Sequence, residues 1–287
     1  MIRFPRLSFA RRASPFSPRR FPFGSAACAL LVAACTPAPA PETAIAPAAK
    51  LHLETFGTAR PAQTRTLIVV LHGDGDAAAR SDHYRFAAEA ARAVPESAAV
   101  ALLRPGYGDA RGNRSPGERG TDTGDNFTSD RIAAVGDAIV ALRHRYGEAR
   151  VVIVGDAGGA AIAANLAGIR PGLIDGMVLV GCPCTLPEWR ALMKAQAPAG
   201  GWGSQVASLD PLKTAGGVAP SLRVAVLVGA DDKVTPAALS RAYAEALALR
   251  GVATDYRIVP GKGHDLLNDP EVLAATTRLA AALPKKI

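Results

Sequence analysis

An α/β domain built on a mostly parallel, doubly wound sheet is what this 287-residue sequence predicts. Three observations predict it. Short runs rich in Val, Ile and Leu recur along residues 51–287 without polar alternation, as strands buried on both faces of a parallel sheet require. Helical patterns separate the runs, and parallel neighbours need such crossovers. Loops bearing Gly, Asp and His follow several of the runs, at the strand ends where open α/β sheets build their sites.

The strand runs are TLIVVLHG (66–73), AAVALLRPG (98–106), RVVIVG (150–155), GMVLVG (176–181), LRVAVLVG (222–229) and TDYRIVPG (254–261). Between the third and its predecessor, Ile132, Val135, Ile139, Leu142 and Tyr146 form one apolar stripe at spacings of three and four, which predicts a helix over 130–146. A second helix is expected from Thr235 as N-cap and Pro236 at its first position, stopping at Gly251. The stretch 269–284 repeats the Asp-Pro start and closes the chain. Two segments break the rhythm: 106–130, polar and glycine-rich, and 185–221, which holds Trp189 and Trp202 and is expected to form a small cap.

With 49% hydrophobic residues, the chain can bury a core as one domain over 51–287. The net charge of +8 is unevenly placed. Six arginines stand in the first 20 residues and no acidic residue precedes Glu42; beyond residue 34, 27 basic and 25 acidic residues nearly balance. That balance gives no general argument for nucleic-acid binding.

The leader carries its own signal. An arginine-rich start precedes GSAACALLVAAC, which is too short for a permanent membrane span. Val32-Ala33-Ala34-Cys35 resembles the bacterial lipobox. The resemblance implies a signal peptide over 1–34, lipidation of Cys35, and anchorage in the cell envelope facing the periplasm. An ordinary cleaved signal peptide, with a soluble periplasmic or secreted product, is the alternative. Residues 35–50 are a Pro/Ala-rich tether, able to reach about 45 Å at about 3.1 Å per residue. Cys182 and Cys184 stand two apart, an awkward spacing for a disulfide and weak for a metal site, and are read as a tight loop.

Four loops carry the chemistry. His72-Gly73-Asp74-Gly75 follows the first strong strand, GDAGGA (155–160) follows the third, GADDKVTP (229–236) a late one, and GKGHDLL (261–267) the last. Their order of elbow, acid and histidine resembles the α/β-hydrolase superfamily, over about residues 51–287. The resemblance implies a mostly parallel sheet with helices on both faces and esterase-like acyl chemistry without cofactor or metal. Its substrate would be a small-molecule ester or acyl compound. His264 would be the general base and Asp232 its orienting acid, with Asp231 as substitute. The N–H groups of Asp74 and Gly158 would form the oxyanion hole.

The elbow departs from the family pattern. With Ala157 at the apex, Gly155 and Gly159 supply the small flanks, yet alanine has no nucleophile. The implied state is a serine-hydrolase scaffold that binds substrate and turns it over little or not at all. A second register puts Asp156 at the apex and resembles the aspartate-nucleophile dehalogenases and epoxide hydrolases. A non-catalytic binding protein on the same fold is the third reading. The glycines lack the G-x-G-x-x-G spacing of a dinucleotide site. His72 is expected to shape its loop, His52, His83 and His144 to lie at the surface or an edge, and Arg104, Arg111, Arg114 and Arg119 to belong to a mixed, solvated loop.

Overall fold

A computed structural model of the chain describes residues 50–76 and 82–284. The leader, Cys35 and most of the tether lie outside the described residues. Within them stands a seven-stranded sheet: β1 (Leu53–Phe56), β2 (Thr66–Leu71), β3 (Ser97–Leu102), β4 (Arg150–Asp156), β5 (Gly176–Val180), β6 (Arg223–Gly229) and β7 (Ala253–Val259). The order is β1-β3-β2-β4-β5-β6-β7, and every pairing is parallel except β1 on β3. Strands β2 to β7 occupy the six apolar runs. Strand β1 was not expected: LETF is four residues long, half-exposed, and has no apolar run to announce it.

The described helices are α1 (Asp82–Ala93), α2 (Ser129–Tyr146), α3 (Gly158–Ile169), α4 (Leu186–Gln196), α5 (Pro211–Thr214), α6 (Ala237–Leu249) and α7 (Pro270–Ala282). They cover both faces of the sheet. Leu67, Val69 and Leu71 of β2 pack with Ile132, Val135 and Ile139 of α2, the core of α3, and Leu239 and Tyr243 of α6. Ile68 and Val70, pointing the other way, pack with Phe86 and Ala90 of α1 and Val272 and Leu279 of α7. All five residues of the predicted α2 stripe are buried. Burying each such side chain contributes about 1.5–3 kcal/mol, which is why a two-sided core needs unbroken apolar strands.

Three local expectations are corrected. Thr235 does not cap α6. The helix starts at Ala237, and the Thr235 hydroxyl donates instead to Asp232 Oδ2 at 2.7 Å, a charge-assisted bond stronger than a neutral cap. His83 is buried on α1, its ring centroid 5.2 Å from that of His72. Cys182 and Cys184 are joined in a buried disulfide: the turn after β5 brings their Cα atoms to 5.1 Å, within bridging range despite the single residue between them. The Asp-Pro start of the last helix holds, with Asp269 accepting from Glu271 N at 2.9 Å.

Candidate active site

Strand β4 ends at Asp156 and α3 begins at Gly158, so Ala157 alone makes the turn between them. Its backbone lies at φ 45° and ψ −112°, a region that costs an L residue about 1–3 kcal/mol. Hydrogen bonds hold it there. Its N–H donates to Val180 O at 2.8 Å, and its carbonyl accepts from Ala160 N at 2.9 Å and Ala161 N at 3.1 Å. The glycines around it are steric requirements. A Cβ on Gly155 would stand 2.6 Å from Ala160 Cα, and one on Gly159 2.6 Å from the carbonyl oxygens of Leu71 and His72. The left-handed apex falls on Ala157. Asp156 is still strand, continuing the Val152–Val154 row toward the α1/α7 face.

The loops after β6 and β7 meet at the next strand end. His264 Nδ1 donates to Asp232 Oδ2 at 3.0 Å, and Thr235 Oγ1 lies 3.0 Å from the same nitrogen. Asp232 is buried, and its other oxygen accepts from the N–H groups of Val234 and Thr235. Asp231 is exposed and takes no part. The imidazole also borders the turn that follows β5: a Cβ on Gly181 would stand 3.4 Å from its Cε1. Since Ala157 is bonded to Val180, the elbow and the histidine flank the same strand end.

Electrostatics reinforces this pair. Burial works against the charge on Asp232, but the His264 bond and charge and the Thr235 donors outweigh it and hold the carboxyl below its ordinary range. Burial likewise opposes protonated His264, while the bond and charge of Asp232, with Asp156 and Asp74 nearby, hold the imidazole above its ordinary 6.5. A raised histidine contributes stability that is full below pH 6.5 and lost as pH rises through the folded-state value. A depressed aspartate contributes above its unfolded value and loses this on acidification. The pair is therefore ionised between the two. NMR titration of the His264 ring is expected to give a midpoint above 6.5 that falls in Asp232→Asn; an unchanged midpoint would break the link.

The third loop holds what the sequence did not announce. Arg104, grouped above with solvated arginines, is completely buried. Its Nη2 donates to Asp74 Oδ1 at 2.5 Å, its Nη1 to His72 O at 3.2 Å, and its guanidinium stacks 4.4 Å from the Tyr107 ring centre. The Arg104 backbone N–H donates to His72 Nε2 at 3.0 Å, so Nδ1 of that buried histidine carries the proton and donates to Gly73 O at 2.7 Å. Tyr107 Oη lies 3.0 Å from Asp74 Oδ1 and 2.7 Å from Asp122 Oδ1. Asn126 Nδ2 donates to Asp74 Oδ1 at 3.2 Å. Burial raises the Asp74 pKa, but the Arg104 charge and these donors prevail, and the carboxyl stays below its ordinary value.

This network fixes the turn carrying Asp74 N–H against the start of α3. The Asp74 carboxylate and Arg104 Nη1 occupy the space beside Gly158, where a Cβ would meet them at 2.2 and 2.5 Å. Neither Asp74 N nor Gly158 N is engaged in a hydrogen bond among the described residues. Gly158 N also sits at the positive end of a 12-residue helix. Two free donors, an imidazole with its carboxylate, and a strained apex bearing a methyl are thus assembled from the loops that follow β2, β4, β6 and β7. Arg111 and Arg119 do pair as a mixed loop would, with Glu54 and Asp122.

No protein-family model and no curated protein matches the sequence. Solved structures do match. A monoacylglycerol lipase from Paleococcus ferrophilus aligns at a TM-score of 0.56 and 20% identity, over 81% of this chain and 99% of that one. Esterase PE8 gives 0.56 and 17%, over 82% and 100%. A serine hydrolase involved in carbazole degradation gives 0.55 and 18%, over 80% and 94%. At such identities the likeness shows the fold alone: the chain has the α/β-hydrolase fold.

Proposed function

We propose that the protein is a serine-hydrolase scaffold of the carboxylic ester or related acyl type, with Ala157 at the nucleophile position. It binds small acyl ligands and turns them over little or not at all. One observation carries this reading: the strained turn is kept at a residue with nothing to present, while His264 and Asp232 stay paired beside it. Such a turn is useful where it lifts a side chain toward a substrate carbonyl. In a serine-bearing version, the hydroxyl at 157 would attack that carbonyl and His264 would take its proton. Asp232 would hold the imidazole tautomer, and the N–H groups of Asp74 and Gly158 would meet the developing oxyanion. The deciding experiment is restoration of serine at 157.

The unpartnered carboxylate of Asp156 favours one second reading, attack by that carboxylate on a haloalkane or epoxide. Burial pushes Asp156 up to about 7, so much of it is protonated and non-nucleophilic at neutral pH. Its strand position also leaves the apex to Ala157. Turnover of a haloalkane that disappears in Asp156→Asn would make this the better reading.

In the same proposal the chain is anchored through a lipid on Cys35 and faces the periplasm. Cys35→Ala is expected to shift the protein from the membrane to the soluble fraction and to abolish metabolic palmitate labelling. A wild-type chain that takes up no label and fractionates as soluble would leave the ordinary signal peptide as the explanation.

A further inference from the structure

The polar groups around the Ala157 methyl do not balance. Asp74 Oδ1 takes all the donors, from Arg104, Tyr107 and Asn126, whereas Oδ2 has none among the described residues. That oxygen lies against Gly158, 2.2 Å from where its Cβ would be, and the side chain is 19% exposed. The Asp156 carboxylate makes no hydrogen bond among the described residues. Its Oδ2 stands 2.7 Å from the Cβ position of Gly73, which in turn is 3.4 Å from the Ala157 methyl. Asn126, fully buried beside Asp74, leaves its Oδ1 without a donor. Two glycines, 73 and 158, thus leave room for two carboxylates on either side of the apex. Among the described residues, the free donors beside them are the backbone N–H groups of Asp74 and Gly158 and the buried Nε–H of Arg104.

A ligand that completes this site brings a carbonyl oxygen for the N–H groups and several N–H donors for the carboxylates. A hydroxyl has one proton and serves one carboxylate, whereas an ammonium has three. Among the described residues no group of three or more His, Cys, Asp or Glu side chains is gathered as a metal site would need. Resting on the acyl-site reading above, we propose that Asp74 and Asp156 are specificity-determining residues that select aminoacyl ligands, jointly holding a primary ammonium next to the acyl carbonyl.

The selection carries a pH signature. Asp156 is surrounded by His264 and Asp265 from the loop after β7, Asp74 from the loop after β2, and Arg104 from the loop after β3. Burial and the two carboxylates raise it, His264 and Arg104 oppose them, and the result is about 7. An ammonium binds the ionised form, so affinity climbs as pH rises through 7 and falls again as the ligand amine deprotonates near pH 8. His264, held above its ordinary 6.5, also changes charge as pH rises, so its removal is the control for the acid limb.

The test is calorimetric titration of the Ala157 chain with alaninamide and with propionamide, which lacks only the amine. Alaninamide is expected to bind about tenfold tighter near pH 7.4, the size of one charge-assisted hydrogen bond. Asp156→Asn should erase most of that preference and flatten the acid limb, whereas His264→Gln keeps a limb, moved to higher pH because a charge that opposes Asp156 protonation is gone. Asp74→Asn should also reduce the preference, and because Asp74 pairs with Arg104, the Asp156 variant serves if that chain fails to fold. Equal affinity for the two amides, no binding of either, or a preference unmoved by Asp156→Asn overturns the proposal. Its failure is separable from that of the acyl reading. If Ala157→Ser hydrolyses simple esters but alaninamide is not preferred, only the aminoacyl assignment falls. If Ala157→Ser is inert and alaninamide is still preferred, the assignment stands and the hydrolase reading falls.

Discussion

Ala157→Ser is expected to raise hydrolysis of p-nitrophenyl acetate by about a thousandfold or more. Removing a triad nucleophile costs roughly a millionfold where the rest of the machinery is optimal, which sets the upper limit for its return. The change adds one oxygen at a position whose backbone is already in the apex conformation, so no rearrangement is needed first. The imidazole must be neutral to accept the proton. Because His264 is held above 6.5, the rate is expected to rise with pH through and beyond that value rather than level off there. The restored serine should label with a fluorophosphonate, and His264→Ala in the same background should remove both activity and label. A folded Ala157→Ser chain that neither hydrolyses nor labels would sink the serine-hydrolase reading.

Arg104→Met is expected to cost about 3–5 kcal/mol of stability, the usual penalty for leaving one partner of a buried ion pair alone. The substitution strands the Asp74 carboxylate beside Gly158 and leaves His72 O without its side-chain donor. For a domain stable by 5–15 kcal/mol this is a large fraction, visible as a drop in denaturant midpoint at unchanged slope. Adding Asp74→Leu should recover much of the loss, because an apolar pair of similar volume has no charge to desolvate. A single-variant loss under about 1 kcal/mol would mean that water already reaches the pair. In the Ala157→Ser background, Arg104→Met should also depress ester hydrolysis, since a carboxylate beside Gly158 that Arg104 no longer neutralises opposes the developing oxyanion.

The parts of this fold that were legible are those where one residue's neighbours in sequence are also its neighbours in energy. Strands β2 to β6 read clearly because Leu67–Leu71, Val151–Val154 and Val224–Val228 are buried on both faces, and the run itself records this. The α2 stripe and the Asp269 cap are likewise local. Strand β1 stayed hidden because an edge strand needs no apolar run. Thr235 looked like a cap because Thr-Pro before a helix is one, but Asp232, three residues back and buried, draws its hydroxyl away. The disulfide was discounted on spacing alone, whereas the turn through Pro183 supplies the geometry.

By itself, then, the sequence determined strands β2 to β7 and the helices α2, α6 and α7 in their order, the elbow of small residues, and the Asp232 and His264 loops in their sequential order. Burial patterns, glycines and caps act over a few residues, so they are written in a few residues. Only the tertiary structure decided that the left-handed apex falls on Ala157 and not Asp156, that His264 meets Asp232 rather than Asp231, and that Arg104 is buried under Asp74. Each of these depends on groups far apart in the chain: Val180 fixing Ala157, 32 residues separating Asp232 from His264, and 30 separating Asp74 from Arg104. A buried charge is tolerable only where its partner has been brought to it, and that is settled by packing, not by spacing.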